Sequence, residues 1–490
     1  MVIRPNTSVI ICVVAAFLLT GFFATRNLST WPARLTYGGD ESYEGVALAE
    51  IVHLRQGVAI FASGAVEGFD AATYGPLFYL LAGHLIDPGN PSYFPLRLLS
   101  VFGIFGCAFG CGLLAYWLTQ SYLAALLSPF MFLSYGMVTG HAVQALSDSV
   151  ALCLSFAGFL VAFRFRARRG FLLLAAFIMI LGFYYKPQYV AGPLAVLAFL
   201  LLAKRYQEAA EFAGMLVSCG LGLFSLFQWI IFSSQGFWRH FLVYQTALLS
   251  SHRFGQALFV FAIMLFFPVI VGLEYLRTYP DKMLNCYLFF SLLLGLVSYS
   301  KEGSGVHYFL ESVIVLNVVV AAFLARRVKL QTLPIDLVLL LGIMLLAAQW
   351  STKRPPQPSD FAQHNTIQSF LKRNFRPHAR ALGAAPGDLL QAGLETPFSG
   401  LFQLVRLSQR GIVSDNDLVA QVTARRFSVV VLNFDLRREE DPYWLSFYLS
   451  PRLLAALKRN YELAQSLDLP APAKERPQDR CYVYVPRSDP

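Results

Sequence analysis

Long apolar runs dominate the chain from its start to about residue 350. They lie at about 8–25, 95–117, 121–138, 147–165, 171–185, 188–203, 212–233, 256–276, 283–299, 306–325 and 334–350, each near the length that crosses a bilayer as a helix. Lys186-Pro187-Gln188 interrupts the stretch 171–203, where a proline removes a helix hydrogen bond and ends one span. Between the first two runs lies a long loop, about 26–94, with a helical pattern at 41–55 and an amphipathic "YGPLFYLLAGHLI" at 74–86. That second segment is too short to span and is expected to lie along the interface. Past residue 351 the periodicity changes. A Pro-rich linker, "STKRPPQPSD", leads to an amphipathic helix around "FAQHNTIQSFLKRNF", a buried strand "FSVVVLNFDL", a second helix and a closing strand "CYVYVP". The expected architecture is therefore an all-α polytopic membrane bundle of about 11 transmembrane helices, 1–351, carrying the large first outer loop 26–94. A small C-terminal α/β extracytoplasmic domain, 352–490, follows it. The first run is read as a retained span, since no small-x-small cleavage site follows it.

Composition supports the membrane reading: 56% of the 490 residues are hydrophobic and only 14% charged, too few charges to cover a soluble protein of this size. The net charge of +10 points to membrane orientation and not to nucleic acid, because the basic residues sit in short loops between apolar runs. One alternating set of short segments holds Arg4, Arg164, Arg166, Arg168, Arg169, Lys204, Arg205, Arg277, Lys282, Arg326, Arg327 and Lys329; the other set of short segments holds only Lys186, Arg239, Arg253 and Lys301. By the positive-inside rule the first set is cytoplasmic. The loop 26–94, the loop around 234–255, "SYSKEGSGVHYF" and the tail then share the outer face. Six of the seven cysteines fall in or beside apolar segments, so the tail's Cys481 has no disulfide partner within the tail. Cys107 and Cys111, one helical turn apart, read as small apolar packing and not as metal ligands.

Polar chemistry concentrates on that outer face. "TYGGDESYEG" sets Asp40 and Glu41 between a glycine turn and a helix, flanked by Tyr37 and Tyr43. Asp40 reads either as a helix cap or as a general base that takes a proton from a hydroxyl at the membrane surface, with Glu41 beside it. "VQALSDSVALCLSF" places a second acid, Asp148, at the outer mouth of a span. An ionisable group costs about 2.5–3.5 kcal/mol at the bilayer centre, and near a span it usually pairs or lines a wet cavity. Lys186, Arg253 and Lys301 read either as interfacial anchors or as partners for the phosphate of a lipid-linked donor. In "KEGSGVHYFLE" the glycines permit close backbone approach, while His307 and Tyr308 enter the outer end of a span.

In these motifs the chain resembles the GT-C superfamily of integral-membrane glycosyltransferases, most closely the branch of protein O-mannosyltransferases and lipid A aminoarabinose transferases. "GGDESY" resembles the acidic motif of the first outer loop, and "YGPLFYLLAGHL" the family's interfacial helix, with Tyr74-Gly75 replacing its first prolines. "LSDSVALCLSFAGF" resembles the span carrying the second acid, and "GSGVHYFLE" the late small-residue and aromatic motif, with His307 where many relatives have Asn. The similarity covers about 30–325. It implies a GT-C-like bundle in a bacterial-type cytoplasmic (inner) membrane, with active site and tail extracytoplasmic. The implied reaction moves a sugar from a polyprenyl-phosphate donor to a hydroxyl of a glycan, lipid or protein acceptor, with inversion, and contributes to a cell-envelope glycan. It also implies roles: Asp40 as base with Glu41 its partner, Asp148 positioning substrate, and Tyr43, Tyr74, His307 and Tyr308 contacting substrate. Some GT-C enzymes use a divalent cation and others do not; no metal ligands are assigned.

Two other readings stay open. A transporter or flippase for a lipid-linked sugar would carry ionisable residues deep in its spans and often paired half-repeats. A polysaccharide ligase or polymerase using a lipid-diphosphate donor would rely on arginines in the outer loops, and the short ones offer only Arg239 and Arg253.

Overall fold

The computed structural model of the chain describes residues 7–40, 43–62, 68–232, 236–244, 249–330, 332, 335–437, 448–468 and 480–488. They form two compact units: Met1–Pro32, Arg97–Phe224 and Ala247–Pro355 make one, and Ala33–Leu96, Ser225–Thr246 and Pro356–Pro490 make the other. The first outer loop, grouped with the spans in the sequence reading, thus clusters with the tail.

The membrane unit is helical, and every apolar run named above falls on a helix. Among the described residues five helices are long and apolar enough to cross a membrane: Thr7–Thr36, Phe94–Thr119, Tyr206–Ile231, Lys282–Tyr299 and Val306–Lys329. Two more runs are bent pairs, Tyr122–Leu133 with Gly136–Ala142 (70°) and Ser251–Met264 with Phe266–Thr278 (66°), which brings the number to seven if each pair is one span. The other four runs are shorter helices, Asp148–Arg164, Arg169–Tyr185, Ala191–Leu202 and Ile335–Ala348. The number that meets the length test is therefore five to seven, against an expected count of about eleven.

Broken helices inside apolar surroundings must find new partners for their freed backbone groups. At the 70° bend, Asn27 donates to the carbonyls of Ser134 (2.8 Å) and Leu133 (3.3 Å), and Gln349 donates to Ser134 O (2.6 Å). The Ser134 hydroxyl donates to Thr20 O at 2.9 Å. The Ala191–Leu202 helix starts after the Lys186-Pro187 break, and its first amide, Ala191 N, donates to the carboxylate of Glu311 at 3.4 Å. Ser155 anchors the same connection by donating to Tyr189 O at 3.0 Å. The helix carrying Glu311, Val306–Lys329, is 94% buried over its apolar window and is the one around which this unit packs.

Among its described residues the second unit holds a four-stranded sheet built from the tail. Its strands are β1 (Ala381–Gly383), β2 (Val429–Leu432), β3 (Tyr461–Asp468) and β4 (Arg480–Pro486), in the order β1-β2-β4-β3. β1 and β2 are parallel, and β4 runs antiparallel to both β2 and β3. The expected strands at 427–436 and 481–486 are β2 and β4; β1 and β3 were not anticipated. The amphipathic helix appears as Pro358–Asn374, and the second helix as Pro451–Asn460. Phe69 and Ala71 of the outer loop belong to the same apolar core as Phe398, Leu404, Leu432 and Tyr484 of the tail. Phe69 N donates to Pro397 O (2.8 Å), and Ser399 N donates back to Phe69 O (3.0 Å). The interfacial helix is present as Pro76–Leu85, with Pro76 at its first turn.

A buried acid network holds the loop in this position. Asp70 accepts from His53 Nδ1 (2.9 Å) and from Ser399 Oγ (2.7 Å). Glu50, fully buried, accepts from Tyr79 OH (2.5 Å) and from Ala72 N (2.7 Å), and Ala72 sits in the left-handed region at φ 43°. That backbone conformation is costly for alanine and persists because its amide is pinned. Burial, and next the Asp70 carboxylate, push the Glu50 carboxyl up to about 8. Burial pulls the His53 imidazole down, but the Asp70 carboxylate outweighs it and holds His53 above its ordinary value.

These two groups fix the pH dependence of stability. Between about pH 4.5 and 8 the folded chain keeps a proton on Glu50 that the unfolded chain has lost, so stability falls as pH rises through that window. The His53–Asp70 pair acts in the same direction, since its contribution is lost as pH rises through the raised His53 value. Thermal unfolding of the purified chain should move down between pH 5 and 8.5, by roughly 2–4 °C for each kcal/mol lost. Glu50→Gln should flatten most of that slope. An unchanged slope in the variant would remove Glu50 from this role.

Candidate functional site

In the membrane unit the polar residues gather around Asp148. The acid opens the Asp148–Arg164 helix and is 3% exposed. Lys186 Nζ donates to its Oδ1 at 2.6 Å, and Tyr189 OH donates to the same oxygen at 2.8 Å. Both donors come from the Pro187 break, so the interruption that ends one helix also delivers the partners of the acid. The His141 and His307 rings lie 4.8 Å apart, and His141 Nδ1 is 2.6 Å from Gln144 Oε1. Thr352 and Lys353 lie along the Gly136–Ala142 helix. A Cβ on Gly136 would fall 2.7 Å from Thr352 N, and one on Gly140 would touch Lys353 Cγ at 3.7 Å. Glycine at 136 is what allows that approach. Ser147 Oγ, Ser149 Oγ, Gln188 Oε1 and His307 Nδ1 are buried atoms without a protein hydrogen-bond partner. Such atoms in a native fold mark a place where polar groups meet water or ligand.

Arg253 closes a neighbouring loop. It donates to Gln256 (2.7 Å), to Ser304 Oγ (3.1 Å) and to the Ser304 carbonyl, and its guanidinium lies 5.1 Å from the centre of the Tyr299 ring. Lys301 pairs through its backbone with Leu249 in an isolated antiparallel bridge.

In the second unit Asp40 lines a cavity of about 520 Å³. Tyr37, Tyr43, Phe402 and Tyr448 supply aromatic walls; Asp388, His364, Gln403 and Asn433 supply polar ones. The loop reaches the tail by close packing: a Cβ on Gly38 would stand 2.7 Å from His364 Nε2. Gly45, at the start of the Glu44–Arg55 helix, faces Gly387 so closely that a Cβ on it would be 2.9 Å from Gly387 N and 2.5 Å from Asp40 Oδ2. The Tyr43 ring lies 5.9 Å from Phe402, and His364 Nδ1 is 3.1 Å from Asp388 Oδ1. Burial, and then the nearby Asp40 carboxylate, push the Tyr448 hydroxyl up to about 12.

The whole chain is similar in structure to ArnT from Cupriavidus metallidurans bound to undecaprenyl phosphate: TM-score 0.60, 11% sequence identity, 96% of this chain and 98% of that one covered. The apo state of that protein gives 0.57, 11%, 94% and 97%. The archaeal oligosaccharyltransferase AglB from Archaeoglobus fulgidus, in complex with an inhibitory peptide and a dolichol-phosphate, gives 0.54, 10%, 92% and 73%. The chain shares the fold of these proteins. No protein-family model matches the sequence, and no curated protein matches it either.

The residues singled out in the sequence divide between the two units. Asp40 and Tyr43 line the cavity of the second unit. Tyr74 does not line it; its amide donates to Tyr79 OH at 3.3 Å and its ring packs on Phe78 at 5.1 Å. Glu41 lies outside the described residues. Asp148, Lys186, Arg253, Lys301, His307 and Tyr308 belong to the membrane unit. Lys186 is bonded directly to Asp148. Sequence reasoning missed His141, Tyr189 and Lys353 in one unit and His364, Asp388, Gln403 and Asn433 in the other. Only Tyr189 had a local signal, three residues past a lysine at a proline break. Among the described residues no three His, Cys, Asp or Glu side chains gather so as to hold a metal ion.

Removing one partner of a buried ion pair strands the other charge. Lys186→Met should therefore destabilise the chain by about 3–5 kcal/mol, and adding Asp148→Asn should recover part of that loss. Thermal unfolding of the single and double variants in detergent checks this. A double variant less stable than the single one would contradict the pairing.

Proposed function

We propose that the chain is an inverting membrane glycosyltransferase that moves a sugar from a polyprenyl-phosphate donor to an acceptor hydroxyl at the outer face of a bacterial-type inner membrane. The observation that carries this reading is the GT-C likeness over 96% of the chain to a protein bound to undecaprenyl phosphate. The residues fit the two halves of the chemistry. Lys186, Arg253, Lys353 and Lys301, with His307, offer positive charge and donors suited to a lipid phosphate. Asp40, in a pocket walled by Tyr37, Tyr43, Phe402 and Tyr448, offers a carboxylate.

The step balances as a single displacement. The Asp40 carboxylate takes the proton of the acceptor hydroxyl, and the hydroxyl oxygen attacks the anomeric carbon from the face opposite the phosphate. The carbon–oxygen bond to phosphate breaks, its electron pair leaves with the polyprenyl phosphate, and the new glycosidic bond has the inverted configuration. Charge grows on the phosphate oxygen as that bond lengthens, and cationic groups already in place stabilise it. Asp148, neutralised by Lys186 and Tyr189, orients the lysine and does not serve as a base. The positive-inside pattern supports the tail and both polar sites facing the outer side.

The test is transfer of labelled sugar in proteoliposomes from a pool of undecaprenyl-phosphate sugars to a cell-envelope extract. Asp40→Asn should lower turnover by about 10²–10⁴-fold while undecaprenyl phosphate still binds. Equal turnover would remove Asp40 from the mechanism. Movement of the lipid-linked sugar across the bilayer without acceptor, and no transfer with it, would favour the transporter reading instead.

A further inference from the structure

The Asp40 carboxylate must be unprotonated when an acceptor hydroxyl arrives, yet the displacement leaves a proton on it in every cycle. The departing phosphate takes the electron pair of the broken bond and the new glycoside keeps no acidic proton, so the proton has to leave by another route. The tail supplies a group for it. His364, on the Pro358–Asn374 helix, lines the same cavity as Asp40. Its Nδ1 donates to Asp388 Oδ1 at 3.1 Å. One helical turn further on, Gln368 donates to the carbonyl of Asp388 at 2.7 Å, so neighbouring turns of one helix grip the same acid. The Tyr37 ring stands edge-on to the imidazole, with centroids 6.0 Å apart. The His364 side chain is 11% exposed and that of Asp388 18%, so the ring is held in place and still meets water.

An ionised carboxylate can only accept a hydrogen bond, so the neutral ring carries its proton on Nδ1 and its lone pair on Nε2. Nε2 faces the loop that bears Asp40: a Cβ on Gly38, two residues before the acid, would stand 2.7 Å from it. Beyond the acid, a Cβ on Gly45 would stand 2.5 Å from Asp40 Oδ2 and 2.9 Å from Gly387 N, the residue before Asp388. The tail therefore meets the loop on both sides of Asp40, and the shared cavity of about 520 Å³ is polar enough and roomy enough for water. We infer that His364 is the proton outlet of this site and Asp388 its positioning residue. After the sugar has moved, the Asp40 carboxyl gives its proton through water to His364 Nε2. The carboxylate is restored, and the imidazolium, stabilised by Asp388, loses the proton to solvent. Histidine is the side chain that exchanges protons most readily near neutral pH. The titratable groups that share the cavity with it, among the described residues, are Asp40, Asp388, Cys481 and the phenols of Tyr37, Tyr43 and Tyr448. This inference rests on the glycosyltransferase reading and adds to it the fate of the proton.

Labelled-sugar transfer by the full chain in proteoliposomes tests it, with a cell-envelope extract as acceptor. Both kcat and the KM for the undecaprenyl-phosphate sugar pool are measured. His364→Ala should lower kcat by about 10–100-fold and leave that KM within about twofold. Imidazole added to the buffer should raise the kcat of this variant at least about fivefold, whereas pyrazole, equal in size and far less basic, should not. Asp388→Asn keeps the ring but removes the carboxylate that sets its tautomer. It should lower kcat about tenfold or more without responding to imidazole, and it serves if His364→Ala fails to fold. Parent-like kcat in either variant, a raised KM with kcat kept, or equal responses to imidazole and pyrazole would each overturn the inference and leave the glycosyltransferase reading standing. No transfer by the parent chain would overturn that reading, and this inference with it.

Discussion

An ionised or hydrogen-bonding group buried away from water must find partners within the fold, and this chain buries several acids. Asp148 is satisfied by Lys186 and Tyr189, Glu311 by a helix amide, Glu50 by Tyr79 and Ala72, and Asp70 by His53 and Ser399. These bonds join residues from 17 to 329 positions apart. An unpartnered acid at any of these places would cost several kcal/mol, more than most single contacts return. The acids therefore fix where broken helices restart and where the outer loop meets the tail.

The same constraint explains why the polar sites occur at interruptions. A continuous helix satisfies its own backbone and has nothing to offer; a broken one exposes amides and carbonyls and brings in side chains to meet them. The Lys186-Pro187 break supplies both donors to Asp148, and the bend after Leu133 turns the short helix that carries His141. In the second unit the strained Ala72 lies in the loop segment that Asp70 and Phe69 tie to the tail.

Much of this was legible from hydropathy. Every apolar run fell on a helix, and β2 and β4 were read from their valine- and aromatic-rich stretches. β1 is three residues long and carries no pattern of its own, and β3 loses its alternation at a bulge between Leu463 and Gln465. The joining of loop and tail had no local signal, because it depends on Gly45 meeting Gly387 and on Asp70 meeting Ser399. Lys353 looked like a linker charge until the glycines at 136 and 140 let it lie along a helix. Local periodicity encodes elements; the sites depend on which elements meet, and one sequence does not carry that.

Of the two acids that the sequence offered as chemical groups, their surroundings separate the roles. A general base needs a carboxylate free to gain a proton near neutral pH, and a cation in direct contact opposes that gain. Asp148 has a lysine ammonium and a phenol on one oxygen, so its charge is already spent on holding them. Asp40 lines a pocket of the second unit, with a second carboxylate, Asp388, and aromatic rings among its walls. The proposed division of labour, proton transfer at Asp40 and cation orientation at Asp148, follows from that difference in environment and does not depend on the order of the motifs.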